Sequence, residues 1–477
     1  MNPDTPVPLC VDLDGTLLLS DSLLESLCQL LKKSPWVIFL APVWLLRGRA
    51  NLKRQIARRV ELDVGQWPLN AEVLDFVQAA KTQGRKVVLA TAADSRIAAA
   101  IQERLNLFDE IISSDGATNL SGKTKAAALE QRFGAKKFDY IGNSASDLPV
   151  WQAAHSGCVA GNEDGLVARV KKSTPVERVF APPRVSVMAW ARALRIHQWS
   201  KNLLLLIPVM SAHQWTDPLR LWPVIFGMAA FSLCASSVYV LNDLLDLEAD
   251  RHHHSKRHRP FASGKIPLAT GLTMAPALLF LAAVVACCLG WKFAAVFGAY
   301  YVTTLLYSLR LKQIALLDVL ALAGLYCVRI LAGGVAADVP VTDWLIMFSL
   351  FVFLSLAFVK RFTEINVLQQ AGDNQLRGRG YMGSDAELIS TMGIGSGYLS
   401  VLVLAMYINN PLVTSLYRRP QELWLACPLL LYWISRVWLL AHRGSMHDDP
   451  ILFALSDRLS WVVVLLLAII GFAAGPR

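Results

Sequence analysis

The sequence predicts an all-α polytopic membrane half of about nine helices, preceded by a soluble N-terminal half that opens on a β-strand. Three observations carry this. First, hydrophobic residues make up 54% of the 477 and charged residues only 17%, too apolar for an ordinary soluble protein. Second, the excess is uneven: residues 1 to 195 carry frequent charges in a mixed pattern, while 203 to 475 is a series of long apolar runs. Third, nine runs are long enough to cross roughly 30 Å of hydrocarbon. They lie near 200-215, 220-241, 268-289, 291-309, 315-337, 342-362, 392-411, 421-441 and 455-475, the first being the weakest. The composition shift near Pro182-Pro183 divides the chain into a soluble domain over 1-180, a linker over 181-195 and a membrane half over 196-477.

The N-terminal half opens with Leu-Cys-Val-Asp12-Leu-Asp14-Gly-Thr16, a short apolar strand running into two alternating aspartates. Alternate residues at a strand end point the same way, so one carboxyl group can attack while the other transfers a proton. Three further segments follow in order: the strand-like Lys86-Val-Val-Leu-Ala-Thr91, the basic Gly122-Lys123-Thr124-Lys125, and Phe138-Asp-Tyr-Ile-Gly142-Asn143-Ser144-Ala-Ser146-Asp147. Together they resemble the motifs of the haloacid-dehalogenase (HAD) phosphatases. The resemblance implies a Rossmann-like parallel α/β sheet with helices on both faces and a helical cap over about 17-85. It also implies roles: Asp12 as nucleophile, Asp14 as acid and base, Thr91 and Lys125 on the phosphoryl group. Asp147 would complete a Mg²⁺ site with Asp12 and the Asp14 carbonyl. Lys123 competes for the Lys125 role, and Asn143 stands where the family often has an acid. A catalytically silent regulatory domain is the other reading.

Between the first two motifs lies the apolar stretch Pro35 to Leu46, which contains Trp36, Pro42 and Trp44 and is followed by Arg47, Arg49, Lys53, Arg54, Arg58 and Arg59. It is too short to span a bilayer and suits an interfacial anchor. A cap packed on its own domain is the alternative.

In the membrane half, Lys and Arg concentrate in alternate connections: Arg251, Lys256, Arg257, Arg259 and Lys265; Arg310 and Lys312; Lys360, Arg361, Arg377 and Arg379; Arg436, Arg443 and Arg458. The positive-inside rule makes these cytoplasmic. The chain starts without a signal peptide, so its N-terminal domain is expected on the cytoplasmic face of the inner (cytoplasmic) membrane. With nine spans the C-terminus lies outside.

At the cytoplasmic end of the second run stands Asn242-Asp243-Leu-Leu-Asp246-Leu-Glu-Ala-Asp250. Helical spacing puts Asn242, Asp246 and Asp250 on one face with Asp243 a step round, an oxygen-rich set suited to Mg²⁺ carrying a diphosphate. The basic residues that follow, among them Arg257 and Arg259, can neutralise phosphate oxygens. This motif resembles the first motif of the UbiA superfamily of intramembrane prenyltransferases, and the resemblance extends over residues 190 to 475. Members that prenylate aromatic rings have a second aspartate-rich motif. Here the corresponding place holds Tyr307-Ser-Leu-Arg-Leu-Lys312, then Asp318 and Arg329. That form resembles the branch that makes polyprenyl-phosphate phosphoribose, and Arg195-Ile-His197-Gln-Trp199-Ser-Lys201-Asn202 is similar to its opening motif. One acidic cluster with a cationic wall of Lys201, Lys312, Arg329, Lys360 and Arg361 suits two phosphorylated substrates. Arg329 lies deep in a span, where a charge is costly unless it serves a ligand or an ion pair.

Composition excludes other classes. Lys plus Arg exceed Asp plus Glu by 10, which in a membrane chain points to headgroups or phosphorylated substrates; no nucleic-acid module is recognisable. The eight cysteines form no CxxC pair and read as reduced packing residues. His252, His253 and His254 are consecutive, and three such side chains rarely face one ion. The expected activity is transfer of 5-phosphoribose from phosphoribosyl diphosphate to a polyprenyl phosphate with Mg²⁺, followed by hydrolysis of a phosphomonoester. An aromatic prenyltransferase and a non-catalytic lipid carrier are the alternatives. The sequence leaves open whether copies of the chain form a homo-oligomer.

Overall fold

The computed structural model describes residues 6–61, 63–161, 164–181, 184–370, 379–411, 417–446 and 450–475. The Pro182-Pro183 boundary and Arg377 lie outside them. The chain packs into two compact units, one of Met1–Arg195 with Tyr239–Pro276 and one of Ile196–Val238 with Ala277–Arg477. The acidic motif and its basic loop thus pack with the N-terminal half, which a linear division at residue 196 does not anticipate.

The first unit is built on a six-stranded sheet in the order β3-β2-β1-β4-β5-β6, parallel throughout. Its strands are β1 (Leu9–Val11), β2 (Val87–Asp94), β3 (Glu110–Ser114), β4 (Asp139–Gly142), β5 (Gly157–Ala160) and β6 (Val176–Phe180). A parallel sheet covered on both faces is written as continuous apolar runs, and every residue of β1, β4 and β5 is buried. The strand order reverses at β1, so the carboxyl ends of β1 and β4 flank the crevice where such sheets bind ligands. Asp12 follows β1, and Asp147 stands just beyond β4.

Helices α1 (Ser22–Lys33), α2 (Ala41–Leu46) and α3 (Arg49–Ala57) lie between β1 and β2, in the stretch expected as a cap, whose last part instead packs Val73, Val77 and Ala80 against the sheet. Asp21 caps α1 by accepting from the Leu24 amide at 3.0 Å, and Lys32 and Lys33 occupy its last turn, where the helix dipole favours cations. Around the sheet run α4 (Ala71–Thr82), α5 (Ser95–Leu105), α6 (Lys123–Phe133), α7 (Leu148–Ala153), α8 (Asp164–Lys171) and α9 (Val187–Ala193).

The stretch Pro35 to Leu46 folds as a 3₁₀ turn followed by α2 and carries features of both readings. Val37 and Trp44 are buried with Leu30 and Ile56, while Trp36, Ile38, Phe39, Val43, Leu45 and Leu46 are exposed. Two expectations need correction. Trp44 is a packing residue, with Arg59 stacked 4.6 Å from its ring, and Lys53 and Arg54 turn inward to the Ala92 and Asp115 carbonyls.

Beyond α9, a 3₁₀ helix over Ile196–Leu206 leads into α10 (Ile207–Ser211). Then come α11 (Pro218–Leu245), α12 (Leu247–His252), α13 (Leu268–Cys288), α14 (Trp291–Leu309), α15 (Leu317–Ala337), α16 (Asp343–Gln370), α17 (Ala386–Ile408), α18 (Ala426–His442), α19 (Pro450–Ser456) and α20 (Arg458–Ala474). Among the described residues, six helices (α11, α13, α15, α16, α17, and α18 with its preceding turn) are long and apolar enough to cross a membrane. The other three expected spans differ for physical reasons. Helix α20 has 17 residues, and α14 carries Lys292, two threonines and three tyrosines. The first run is mostly 3₁₀, and its 11 residues followed by five α-helical ones extend about 30 Å at roughly 2.0 and 1.5 Å per residue.

Candidate functional site

The first unit carries two charged centres. In the sheet crevice, the Lys125 ammonium lies 2.9 Å from Asp12 Oδ1, 3.3 Å from Asp147 Oδ1 and 2.9 Å from the Tyr140 hydroxyl. Lys125 is buried, whereas Lys123, two residues earlier on α6, is exposed, so of the two lysines it is Lys125 that meets Asp12. Asp14 Oδ1 accepts from the Ser22 amide at 2.8 Å. Thr91 is buried in β2, and its hydroxyl accepts from the Ala93 amide at 3.0 Å. Gly15 has φ +69°, and a Cβ there would lie 2.0 Å from Asn143 Nδ2, so the turn after Asp14 demands glycine because Asn143 closes on it.

Burial, opposed by the attraction of Lys125 and reinforced by Asp147, pushes Asp12 up to about 6. Burial and the nearby Asp21 charge push Asp14 up to about 7, against the opposing hydrogen bond from the Ser22 amide. Burial alone would disfavour the Lys125 charge; Asp12 and Asp147 outweigh it and raise its pKa. Two members of this centre escaped sequence reading. Tyr140 looks like one more apolar strand residue, and Lys53 belongs to a basic run assigned to headgroups. Lys53 in fact bonds the Ala92 carbonyl at 2.7 Å and Asn119 at 3.2 Å, and burial lowers its pKa against the pull of Asp14 and Asp21.

The second centre is the acidic motif. The chain turns at Asp246 between α11 and α12, yet the amide bonds Asp246 to Asn242 and Asp250 to Asp246 keep the helical spacing. Each aspartate meets a cation. Arg195 donates to Asp243 at 2.5 Å, Arg259 donates to Asp243 at 3.1 Å and to Asp250 at 2.7 Å, and Lys32 pairs with Asp246 at 2.7 Å. Of the expected basic residues, Arg259 joins the cluster while Arg257 is exposed beside His258. Arg195 was visible in the Arg195 to Asn202 motif; Lys32, from α1, carried no signal at all.

In the second unit, Arg329 is buried and donates to Asn202 Oδ1 at 3.0 Å, the Leu325 carbonyl at 2.6 Å and the Tyr300 hydroxyl at 2.9 Å. All three acceptors are neutral. The rings of Tyr300 and Tyr326 lie 4.9 and 5.5 Å from the guanidinium, and Lys201 stands 6.0 Å from the Tyr326 ring. The sequence thus located Lys201 and Arg329, and the fold brings them to one aromatic-walled cluster.

Asp318 and Arg361 behave otherwise. Both are fully buried and pair at 2.6 Å; Asp318 also accepts from Tyr381 at 2.5 Å, and Arg361 pairs with Glu364. This network occupies their charges with each other. Tyr307 lies 3.5 Å from Arg361 at its edge, and Lys312 and Lys360 are half-buried.

Among the described residues, no group of three or more His, Cys, Asp or Glu side chains forms a ready metal cage. The oxygens present still suit Mg²⁺, which takes one or two carboxylates and completes its shell with water and substrate phosphates. Asp12 with Asp147, both held on Lys125, and Asp243 with Asp250, both held on Arg259, provide such pairs.

Comparison with known proteins assigns families to the two halves of the chain. The UbiA prenyltransferase family model matches residues 203–463, and the haloacid dehalogenase-like hydrolase model matches residues 9–152. The chain is 37% identical to uncharacterized protein y4nM of Sinorhizobium fredii over 98% of its own length and 90% of that protein. It is 36% identical to nodulation protein NoeC of Azorhizobium caulinodans over 60% of its length and 93% of that protein. It is 34% identical to decaprenyl-phosphate phosphoribosyltransferase of Mycolicibacterium smegmatis over 42% of its length and 64% of that protein.

Proposed function

Since the chain belongs to the UbiA prenyltransferase family and carries a haloacid dehalogenase-like hydrolase domain ahead of that region, we propose that it is a bifunctional membrane enzyme acting on a polyprenyl phosphate. Its membrane half transfers 5-phosphoribose from phosphoribosyl diphosphate to the lipid phosphate, and its N-terminal domain hydrolyses the 5-phosphate of the product. The observation that carries the reading is Arg329, a buried guanidinium held by neutral groups, with Lys201 beside it, in the half where ring-prenylating members place further carboxylates. Such a cluster receives an anion. The phosphoribosyltransferase relatives at 32 to 34% identity support the same donor and acceptor.

In the transfer, a lipid phosphate oxygen attacks the anomeric carbon as its bond to diphosphate breaks. Asp243, Asp246 and Asp250 would hold Mg²⁺, whose charge stabilises the departing diphosphate. Arg195 and Arg259 steady the same oxygens, and Lys201 and Arg329 fix a substrate phosphate. In the hydrolase domain, Asp12 attacks phosphorus while Asp14 protonates the leaving ribose oxygen; water, deprotonated by Asp14, then attacks the aspartyl phosphate and releases inorganic phosphate, with Thr91 and Lys125 holding the phosphoryl oxygens. Asp12, the Asp14 carbonyl and Asp147 would hold its Mg²⁺.

The basic connections orient the acidic motif and the N-terminal domain to the cytoplasm, and the exposed Trp36 to Leu46 edge suits contact with headgroups there. Radiolabelled phosphoribosyl diphosphate, incubated with the purified chain and polyprenyl phosphate, tests the reading. Label should enter lipid. Activity found only with prenyl diphosphate and an aromatic acid would refute it.

A further inference from the structure

Helix α1 belongs to the phosphatase cap, yet its last turn reaches the acidic motif. Lys32 Nζ lies 2.7 Å from Asp246 Oδ1, with both side chains partly open to solvent at 47% and 33%. An isolated surface pair of this kind is worth little and is rarely ordered. A buried ion pair and a buried apolar contact on the same helix hold this one in place. Arg251 donates to both carboxylate oxygens of Glu25 at 2.9 and 2.6 Å, in a pair with only 5% and 3% side-chain exposure. Gln29 donates to Glu248 at 3.1 Å, and Cys28 packs with Leu244, Leu247 and Phe261. One face of α1 is thereby fixed along α12, and Lys32 is delivered at its end. A shallow cleft lined by Gln29, Lys32, Glu248 and Arg251 among others runs along the two helices.

Each aspartate of the motif has a cation on it: Arg195 and Arg259 on Asp243, Arg259 on Asp250, Lys32 on Asp246. A divalent cation entering the carboxylates takes over their neutralisation. The displaced cations are then left beside the very oxygens that accompany the metal. Arg259 comes from the membrane half and Arg195 from the linker that leads into it; Lys32 comes from neither.

We propose that Lys32 is a diphosphate-binding residue of the transferase site, supplied by the phosphatase cap. The proposal rests on the acidic motif binding a magnesium diphosphate, as in the proposed function, and gives the fusion a role beyond tethering: the cap completes the donor site.

The test is direct binding of magnesium pyrophosphate to the full-length chain in nanodiscs, followed by calorimetry. Lys32→Gln should bind on the order of tenfold more weakly, the range of a partly exposed charge-assisted hydrogen bond. Lys32→Arg should recover most of that loss. Lys33→Gln, whose residue pairs only loosely with exposed Glu61, should bind like the wild type. All three should keep phosphatase activity on a soluble phosphomonoester, which reports an intact α1. Wild-type affinity in Lys32→Gln overturns the proposal, and so does a joint loss of binding and phosphatase activity, which would make Lys32 a packing residue. Pyrophosphate leaves from any diphosphate donor. A wild-type chain that binds it but transfers no phosphoribose would therefore refute the functional reading and leave Lys32 standing.

Discussion

A guanidinium held by neutral acceptors differs from one closed into an ion pair, and Arg329 and Arg361 supply the two cases. Arg329 keeps its charge available, so Arg329→Met should leave the chain folded and raise the phosphoribosyl diphosphate requirement by on the order of tenfold or more. Donor saturation curves check this, and an unchanged curve would mean a structural role. Arg361→Met instead removes the nearer cation from the fully buried Asp318 and leaves it only Arg379 at 3.5 Å, so the expected effect is a loss of about 3 kcal/mol of stability, visible in thermal melts. Asp246→Asn and Asp250→Asn should each abolish lipid transfer while sparing hydrolysis of a soluble phosphomonoester, because DxDGT is a separate centre; substantial transfer by both would remove the metal role. Residues of this kind were legible because they are polar in apolar surroundings or stand at motif spacing. Tyr140 and Lys53 were not, since a strand tyrosine and one lysine of a basic run look ordinary until folding turns them inward.

At the scale of elements, α1 is the piece that no pattern announced. Its amphipathic face and Asp21 cap make it a helix, but only the fold shows that its first residue touches Asp14 and its last turn touches Asp246. Twelve residues put those ends about 18 Å apart. Breaking the buried clamp with Glu25→Gln should lower the melting temperature and reduce transfer, with a cost of about 3–5 kcal/mol. Glu25→Gln with Arg251→Met should recover part of the stability, since no buried charge is then left alone. The sheet was legible element by element, as buried parallel strands are continuous apolar runs. The first membrane run was harder: the polar stretch Gln198 to Asn202 does not favour an α-helix, and the chain is 3₁₀ over Ile196–Leu206 before α10 begins.

On the scale of the whole molecule, the proposed function makes the fusion an intramolecular route from transfer to hydrolysis, with effective concentrations reaching the millimolar range for short linkers. Residues 181 to 186, between β6 and α9, are few enough for that regime. Hydrolysis of the product's 5-phosphate would also pull the preceding transfer forward. Removal of divalent metal should stop both reactions, and restoring Mg²⁺ should return both, since each centre offers carboxylate pairs that need it. The division of labour is tested most directly by mass spectrometry of lipids extracted after incubation with polyprenyl phosphate, phosphoribosyl diphosphate and Mg²⁺. The wild type should yield the ribosyl lipid without its 5-phosphate, and Asp12→Asn, which removes the nucleophile with little change of shape, should accumulate the phosphoribosyl lipid. Identical phosphorylated lipids from both proteins would contradict the account.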